Sequence, residues 1–205
     1  MNRGEIFKNV PDKSELNWTT THKFKDDLLD YFGDEFKNKN CLEVGTFQGH
    51  TTRILSFLFN KVITIDINQE WIEKARNLNN DRNNIEYYVG DIYDWIEPGV
   101  TSLYYDTFKD EEVDVVFIDA IHKYHQVIFD TINSIKTFGN IHLIYDDYGL
   151  LDEVKSAVDD MINTGMIEVV QYIGGQKDEL VNPTSVNKYL KDREGIICKS
   201  RIKNG

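Results

Sequence analysis

From residue 40 onward, the sequence alternates short runs rich in β-forming residues with longer stretches that repeat apolar residues at helical spacing. Parallel strands need crossover connections of a dozen or more residues, and the helical stretches supply them. The pattern therefore predicts an α/β fold with a mostly parallel sheet and helices on both faces. The predicted strands are 41–44, 62–65, 85–89, 113–118, 141–145, 167–173 and 195–198.

The segment before this alternation is predicted to be helical. Asp12 and Glu15 have the spacing of a capping box, and apolar residues continue at helical spacing up to Gly33, which suits the end of a helix. A chain of 205 residues has the length of one α/β domain. We expect one compact domain, in which residues 1–39 form an N-terminal helical cap on a body formed by residues 40–205.

The composition limits the partners and the compartment. The formal net charge of −12 gives no basic footprint for nucleic acid or for an anionic membrane, so a small-molecule partner is expected. No apolar run is long enough to cross a bilayer, and residues 1–8 contain no signal-peptide core. Cys41 and Cys198 both fall in predicted buried strands, which fits a reducing, cytoplasmic setting. A homo-oligomer is compatible with the sequence.

One stretch has the pattern of a ligand-binding turn. A short apolar strand ends at Gly45, and a helix is predicted to begin after Gly49. Glycine permits positive φ and close approach of a ligand, while a helix start offers free N–H groups. Asp66 follows about twenty residues later, where a carboxylate can accept hydrogen bonds from ribose hydroxyls. An ordinary βα connection would use the same glycines, and dinucleotide-binding enzymes share the acidic position.

Carboxylates also stand in or directly after five successive predicted strands. In an open α/β sheet, ligands bind outside the carboxyl ends of the strands. Like charges crowded along that edge are costly unless a cationic or hydrogen-bond-donating group lies among them, which suits a sulfonium better than a diphosphate. The glycine spacing also lacks the G-x-G-x-x-G pattern of pyrophosphate binding. These acids are Glu43, Asp66, Asp91, Asp119 and the pair Asp146 and Asp147.

With these features, the chain resembles the class I S-adenosylmethionine-dependent methyltransferases over about residues 40–200. Residues 43–49 are similar to their first motif, Asp66 to their ribose-binding acid, and Gly90-Asp91-Ile92 to their adenine-side motif. The resemblance implies a Rossmann-like, seven-stranded sheet with an antiparallel last strand, formed by residues 40–205. It also implies that the donor, S-adenosyl-L-methionine, is bound by Glu43, Gly45, Thr46, Phe47, Gly49, Thr51, Asp66, Ile67, Asp91, Ile92 and Asp119.

The fourth and fifth predicted strands carry a finer resemblance, to the metal-dependent O-methyltransferases. Asp146-Asp147-Tyr148-Gly149 is similar to the macrocin-type enzymes that methylate sugar hydroxyls, whereas the catechol-type branch has Asp-Asn at this position. In both groups, the matching acids hold a divalent cation, so the implied metal ligands are Asp119, Asp146 and Asp147. Carboxylates from two adjacent loops suit a hard cation such as Mg²⁺, or another divalent cation.

The residue expected to remove the acceptor proton departs from both patterns. Ile121 stands where macrocin-type enzymes commonly have an acid, and His122 stands where catechol-type enzymes have a lysine. Because histidine titrates near neutrality, His122 is the candidate base, and Asp119 is the second catalytic residue. Alternatively, His122 caps the following helix. It also forms a His-x-x-His pair with His125 that could bind Zn²⁺, although a solvated helix face is the simpler interpretation.

The predicted function is metal-dependent transfer of a methyl group to a hydroxyl of a small molecule such as a sugar, polyol or phenol. The resemblance assigns the acceptor pocket to the N-terminal helix and to loops such as 97–110 and 174–192. Trp18 and Trp95 are expected to pack rather than border that pocket. The alternatives are a metal-independent methyltransferase of nitrogen or sulfur, a nucleoside- or partner-binding module without catalysis, and a nicotinamide oxidoreductase.

Overall fold

The computed structural model describes residues 2–16, 18–92, 103–176 and 193–201. Its elements alternate as predicted from residue 40 onward. The helices are α1 (Arg3–Ile6), α2 (His22–Phe32), α3 (His50–Leu58), α4 (Gln69–Leu78), α5 (Leu103–Phe108), α6 (Tyr124–Phe138) and α7 (Asp152–Asn163). The strands are β1 (Asn40–Val44), β2 (Lys61–Asp66), β3 (Ile85–Val89), β4 (Val115–Ile118), β5 (His142–Tyr145), β6 (Ile167–Gln176) and β7 (Arg193–Ser200).

The seven strands form one sheet in the order β3-β2-β1-β4-β5-β7-β6. The first five strands are parallel to one another, and β7 lies antiparallel between β5 and β6. The prediction of a mostly parallel, seven-stranded sheet with an antiparallel last strand is confirmed. The chain runs outward in one direction from β1 and in the other direction from β4, so a crevice opens between their carboxyl ends.

Hydrophobic side chains cover both faces of the sheet. On one face, strand residues such as Leu42 and Val116 pack with residues of α5, α6 and α7. On the other face, Cys41 and Phe117 pack with residues of α1, α2 and α3. Neighbouring residues of one strand belong to opposite clusters because strand side chains alternate between faces. Cys41 and Cys198 are buried free thiols, and none of the described helices has the length and apolar character needed to cross a membrane.

The N-terminal segment differs from the predicted helix. The capping-box contact exists, since the Asp12 N–H donates to Glu15 Oε2 at 3.2 Å, but residues 13–16 form turns. Asp12 Oδ2 instead accepts a hydrogen bond from the His22 N–H at 2.7 Å, and α2 begins only there, capped by the Thr21 side chain. The paired acids therefore fasten a turn to α2 rather than start a helix. Phe24 of α2 packs against the sheet in the same core cluster as Phe117. The predicted domain boundary at residue 40 remains a prediction.

A short helix replaces part of the predicted loop at 97–110. In α5, Tyr104 is fully buried and its hydroxyl lies 2.7 Å from Ser134 Oγ of α6. Phe108, one helical turn later, is also fully buried. Tyr104 and Phe108 therefore pack in the core and do not line the described cavity, and the assignment of loop 97–110 to an acceptor pocket remains a prediction. Residues 97–102 lie outside the described residues.

Candidate active site

An open cavity of about 650 Å³ lies at the carboxyl ends of the parallel strands. Its lining comes from the loops that follow β1 to β5 and from two residues of the N-terminal segment. The volume is within the range of small-molecule sites, roughly 300–1,000 Å³. The position, next to the crevice between β1 and β4, is where open α/β sheets bind their ligands.

The two glycines of the predicted ligand-binding turn have different structural roles. Gly45 has a φ of 98°, and a Cβ added to it would lie 2.0 Å from the Asp119 carbonyl oxygen. It therefore lets the ends of β1 and β4 approach beside the cavity. Gly49 has a φ of 81°, and its Cβ would lie 2.6 Å from the Ala75 Cβ of α4. Gly49 thus serves the contact between α3 and α4, and it does not line the cavity.

The Asp66 carboxylate holds the turn that follows β1. Its Oδ2 accepts hydrogen bonds from the N–H groups of Thr46 at 3.1 Å and Phe47 at 2.9 Å. Its Oδ1 accepts from the Asn68 N–H at 2.8 Å. Carboxylate oxygens have further lone pairs, so this acid can accept additional hydrogen bonds from a ligand in the cavity that it lines.

Glu43 lies beneath the turn rather than in the cavity. Its Oε2 accepts hydrogen bonds from the hydroxyls of Thr52 at 2.5 Å and Thr64 at 2.6 Å, and Thr64 in turn contacts Thr46 Oγ1 at 2.6 Å. Burial raises the pKa of Glu43 to about 8, although the two hydroxyl contacts act in the opposite direction. Thr51 is buried as well, with its Oγ1 3.3 Å from Thr20 Oγ1. These polar side chains support the turn from below.

The predicted donor-binding residues therefore separate into two groups. Direct contact with a ligand in the described cavity is open to the lining residues Gly45, Phe47, Asp66, Ile67, Asp91, Ile92 and Asp119. The residues that do not line it are Glu43, Thr46, Gly49 and Thr51. The sequence analysis did not identify Trp71, which lines the cavity with its ring 4.7 Å from that of Phe47. Trp71 was missed because its spacing in α4 matches that of the apolar residues that face the core.

The acids after β4 and β5 converge with His122 on the other side of the cavity. Ligand atoms of Asp119, His122 and Asp146 all lie within 4.8 Å of one another. His122 Nε2 is 3.3 Å from Asp119 Oδ1 and 3.8 Å from Asp147 Oδ2, but it makes no hydrogen bond. Asp146 is 5 % exposed, and its Oδ1 also has no hydrogen-bond partner. The structure thus brings two of the three predicted metal ligands, Asp119 and Asp146, together with His122, whereas Asp147 is not part of this group.

The crowding changes the protonation of these groups. Burial raises the pKa of Asp146 well above its usual range, and the neighbouring charges of Asp147 and Asp119 act in the same direction. Burial also raises the pKa of Asp119. Burial lowers the pKa of His122, but the contacts with Asp119 and Asp147 more than offset this effect, so that its pKa is raised. Ionising these crowded, buried acids is therefore unfavourable without a cation, and a cation bound among them would favour their charged forms.

Lys13 is a cavity residue that the sequence analysis missed. Its Nζ lies 3.2 Å from Asp147 Oδ1 and 3.5 Å from Oε1 of the fully buried Glu194. Burial lowers the pKa of Lys13, but Asp146, Asp147 and Glu194 more than offset this effect, so it remains protonated at neutral pH. Lysine in a polar turn gives no signal in the sequence. The contact arises only because the N-terminal segment crosses the carboxyl end of β5.

Trp18 corrects a second expectation, because it does not pack in the core. It is 85 % exposed, has a φ of 77°, and lines the cavity. Trp95 and the loop residues 177–192 lie outside the described residues. His125 is exposed beside Tyr124 and takes no part in the cluster of metal-binding groups, so the His-x-x-His pair does not form a site in the described structure.

Comparison with known proteins assigns the domain. Residues 42–139 match the family model of a methyltransferase domain. Phosphoethanolamine N-methyltransferase 1 of Haemonchus contortus, solved with phosphoethanolamine and S-adenosylhomocysteine, has a TM-score of 0.60 and 18 % identity, over 98 % of this chain and 48 % of that chain. The N-methyltransferase NodS of Bradyrhizobium japonicum WM9 has a TM-score of 0.55 and 18 % identity, over 86 % and 93 %.

An rRNA methylase of Streptococcus thermophilus is similar to the same extent, with a TM-score of 0.55 and 14 % identity over 86 % of this chain and 93 % of that chain. No curated protein matches the sequence. At these identities, the solved structures establish the fold, and the match over residues 42–139 supports a methyltransferase activity. The solved structures show the class I methyltransferase fold, and together with the matched domain they support S-adenosylmethionine-dependent methyl transfer by this chain.

Proposed function

We propose that the protein transfers a methyl group from S-adenosylmethionine to a hydroxyl oxygen of a small molecule, with the help of a divalent cation. The observation that carries this proposal is the cluster of Asp119, His122 and Asp146, which opens into the same cavity as the donor-side residues. The structural relatives include N-methyltransferases and an rRNA methylase, so the fold does not select the acceptor. The choice is argued from the charges of this cavity.

One half of the cavity fits the donor. Asp66 and Asp91 present carboxylates to it, which suit the ribose hydroxyls and the amino group of adenine. Ile67, Ile92 and Trp71 present apolar surface beside them, which suits the faces of the purine ring. The acidic edge also favours the positive sulfonium of the donor over an anionic cofactor.

The other half fits a divalent cation. The buried Asp146 Oδ1 and the His122 Nε2 have no hydrogen-bond partner, and both face the Asp119 carboxylate. Buried polar atoms without partners are costly, and a cation bound among them removes that cost. When bound, the cation would lower the pKa of an acceptor hydroxyl and orient it toward the donor. The O–CH₃ bond then forms as the S–CH₃ bond breaks.

The proton of the acceptor needs a separate recipient. The sequence analysis assigns it to His122, but the Nε2 that would take the proton is also the atom that faces Asp119 and Asp146. One nitrogen cannot hold a cation and a proton together. We therefore assign proton acceptance to Asp147, whose Oδ1 is held by Lys13 and whose Oδ2 lies 3.8 Å from His122 Nε2.

A small-molecule acceptor is favoured by the electrostatics. The formal net charge is −12, and the described lining of the cavity contains one lysine, Lys13, which is already paired with Asp147 and Glu194. A polyanionic acceptor would find no free cation in this part of the chain. A neutral sugar, polyol or phenol offers adjacent oxygens without that penalty.

The test is a transfer assay with S-adenosylmethionine and a panel of sugars, polyols and phenols, in which S-adenosylhomocysteine formation is measured with divalent cation and with EDTA. We expect turnover of at least one hydroxyl acceptor, its loss in EDTA, and its loss in Asp119→Asn and Asp146→Asn. The exposed His125→Ala variant should retain activity. Full activity in EDTA would instead indicate a metal-independent enzyme, and donor binding without any turnover would indicate a binding module.

A further inference from the structure

The atoms best placed to bind a cation are not all oxygens. Among the described residues, the group whose ligand atoms lie within 4.8 Å of one another consists of Asp119, His122 and Asp146. Asp147 does not belong to it, although it directly follows Asp146 in the sequence. The set of donors is therefore one imidazole nitrogen and two carboxylate oxygens, rather than three carboxylates.

The position of His122 agrees with a ligand role. Two atoms bound about 2.1 Å from the same cation, at tetrahedral or octahedral angles, lie ~3.0–3.4 Å apart. His122 Nε2 and Asp119 Oδ1 are 3.3 Å apart, and the nitrogen makes no hydrogen bond at that distance. If this nitrogen carried a proton, its N–H would be expected to point at the Asp119 carboxylate and donate a hydrogen bond to it. Asp146 Oδ1 also has no hydrogen-bond partner, and the Asp146 residue is only 5 % exposed. This oxygen is the third of the proposed ligand atoms.

The ion pair with Lys13 accounts for the absence of Asp147 from the group of clustered ligand atoms. The Lys13 ammonium forms an ion pair with Asp147 Oδ1 at 3.2 Å and also pairs with Glu194. A cation bound by that same oxygen would meet the lysine charge at close range. The carboxyl groups of Asp119, Asp146, Asp147 and Glu194 outnumber this one ammonium, so a divalent cation bound beside His122 would offset negative charge.

The nature of the donors selects among divalent cations. Mg²⁺ favours sites built of oxygen ligands and water, whereas imidazole favours first-row transition metals. Within that series, affinity rises from Mn²⁺ through Co²⁺ for a given site. We propose that His122 is a metal ligand together with Asp119 and Asp146, and that the site prefers a first-row transition-metal cation to Mg²⁺. This inference rests on the proposed function, which requires only that some divalent cation bind.

The experiment uses the whole protein and the metals themselves. Mn²⁺ is bound to the purified protein and examined by pulsed electron paramagnetic resonance for coupling to a directly bonded ¹⁴N nucleus. Mg²⁺, Mn²⁺ and Co²⁺ affinities are measured by calorimetry for the wild type, His122→Ala and the exposed-histidine control His125→Ala. We expect the ¹⁴N coupling in the wild type and in His125→Ala, and its absence in His122→Ala. Loss of His122 should weaken Co²⁺ binding roughly tenfold or more and Mg²⁺ binding much less.

The outcomes separate this inference from the function on which it rests. Cation binding without ¹⁴N coupling in the wild type, together with loss of binding in Asp147→Asn, would show a three-carboxylate site. That result overturns the inference and leaves metal-dependent methyl transfer intact. No binding of any of the three cations overturns both. S-Adenosylhomocysteine titrated into each variant reports whether the donor site remains folded, so that a collapsed variant is recognised.

Discussion

A carboxyl group shielded from water lies directly beneath the donor-side turn. Glu43 is 1 % exposed, and among the described residues the hydroxyls of Thr52 and Thr64 donate hydrogen bonds to its carboxyl group. Burial raises its pKa to about 8, and the charges of Asp119 and Asp66 contribute in the same direction. The neutral acid is therefore the main form at pH 7, and raising the pH must create a buried charge.

This arrangement makes stability depend on pH. Because the pKa of Glu43 is higher in the folded chain than in the unfolded one, the folded state binds more protons between about pH 4.5 and pH 8. Its contribution to stability is complete below that window and is lost as the pH rises through it. Glu43→Gln should remove this dependence, by an amount on the order of a few kcal/mol. Urea unfolding of both proteins at pH 5, 6.5 and 8.5 measures it, and equal pH slopes would contradict the assignment.

Asp66 supports the turn after β1 and is also the proposed ribose-binding acid of the donor site. Its carboxylate accepts hydrogen bonds from the N–H groups of Thr46 and Phe47, and the residue lines the cavity. Asp66→Ala should weaken S-adenosylhomocysteine binding by roughly ten- to a hundredfold, because charged hydrogen bonds to the ribose are lost together with the fixed turn. Calorimetric titration tests this, with Asp30→Ala on the exposed side of α2 as the control. Unchanged affinity in Asp66→Ala would remove Asp66 from the donor site.

At the scale of elements, the start of α3 depends on its close contact with α4. A Cβ at Gly49 would lie 2.6 Å from Ala75 Cβ and 2.8 Å from Ala75 Cα, in a conformation with positive φ. Gly49→Ala should therefore cost about 1–2 kcal/mol for the left-handed backbone, and about 1–3 kcal/mol more for overpacking. Gly165 has a φ of 73° with no atom within 4 Å of its Cβ position, so Gly165→Ala should cost only the backbone term.

The difference between the two glycine variants, measured by denaturant unfolding at one pH, isolates the α3–α4 contact. Equal losses of stability would mean that α4 moves aside without cost, and that Gly49 is required only for its backbone conformation. A loss of stability in Gly49→Ala should also weaken donor binding, because α3 and the turn before it move together.

The central parallel strands, such as β1 and β4, were predictable because strands buried on both faces of a parallel sheet are continuous apolar runs. All seven strands were placed within a few residues of their bounds. The helix α5 was not predicted, because its six residues are too few to show a period, and Tyr104 and Phe108 are fixed by contacts with distant elements. The turn at residues 13–16 was mistaken for a helix, since its local hydrogen bonds are those of a capping box.

The site residues likewise divide into those that the sequence predicts and those that depend on tertiary contacts. Asp66, Asp91, Asp119 and the acids after β5 follow from position alone, because strand order fixes which edge they reach. Lys13 and Trp18 reach the cavity from a turn far away in the sequence, and no local pattern encodes that crossing. The exclusion of Glu43 from the cavity also depends on tertiary structure, namely on the threonines of α3 and β2.

At the scale of the whole molecule, charge separates the two classes of acceptor known among the structural relatives. The chain has 23 basic and 35 acidic residues, and RNA binding depends on basic side chains that displace the counterions of the phosphate backbone. The acids at the carboxyl edge of the sheet add local repulsion at the point where a phosphate chain would enter. A structured RNA should therefore form no detectable complex at micromolar protein and physiological salt.

Filter binding over a range of salt concentrations tests this prediction, with the rRNA methylase of Streptococcus thermophilus as the comparison protein. A complex that weakens steeply as salt rises would show that basic residues cluster on a surface of the folded chain in spite of its net charge. Such a result would contradict the small-molecule acceptor and leave the donor site unaffected, because the proposed donor-binding acids are those after β2 and β3. Absence of binding, combined with turnover of a neutral hydroxyl compound, would place the selectivity of this methyltransferase in its charge rather than in its fold.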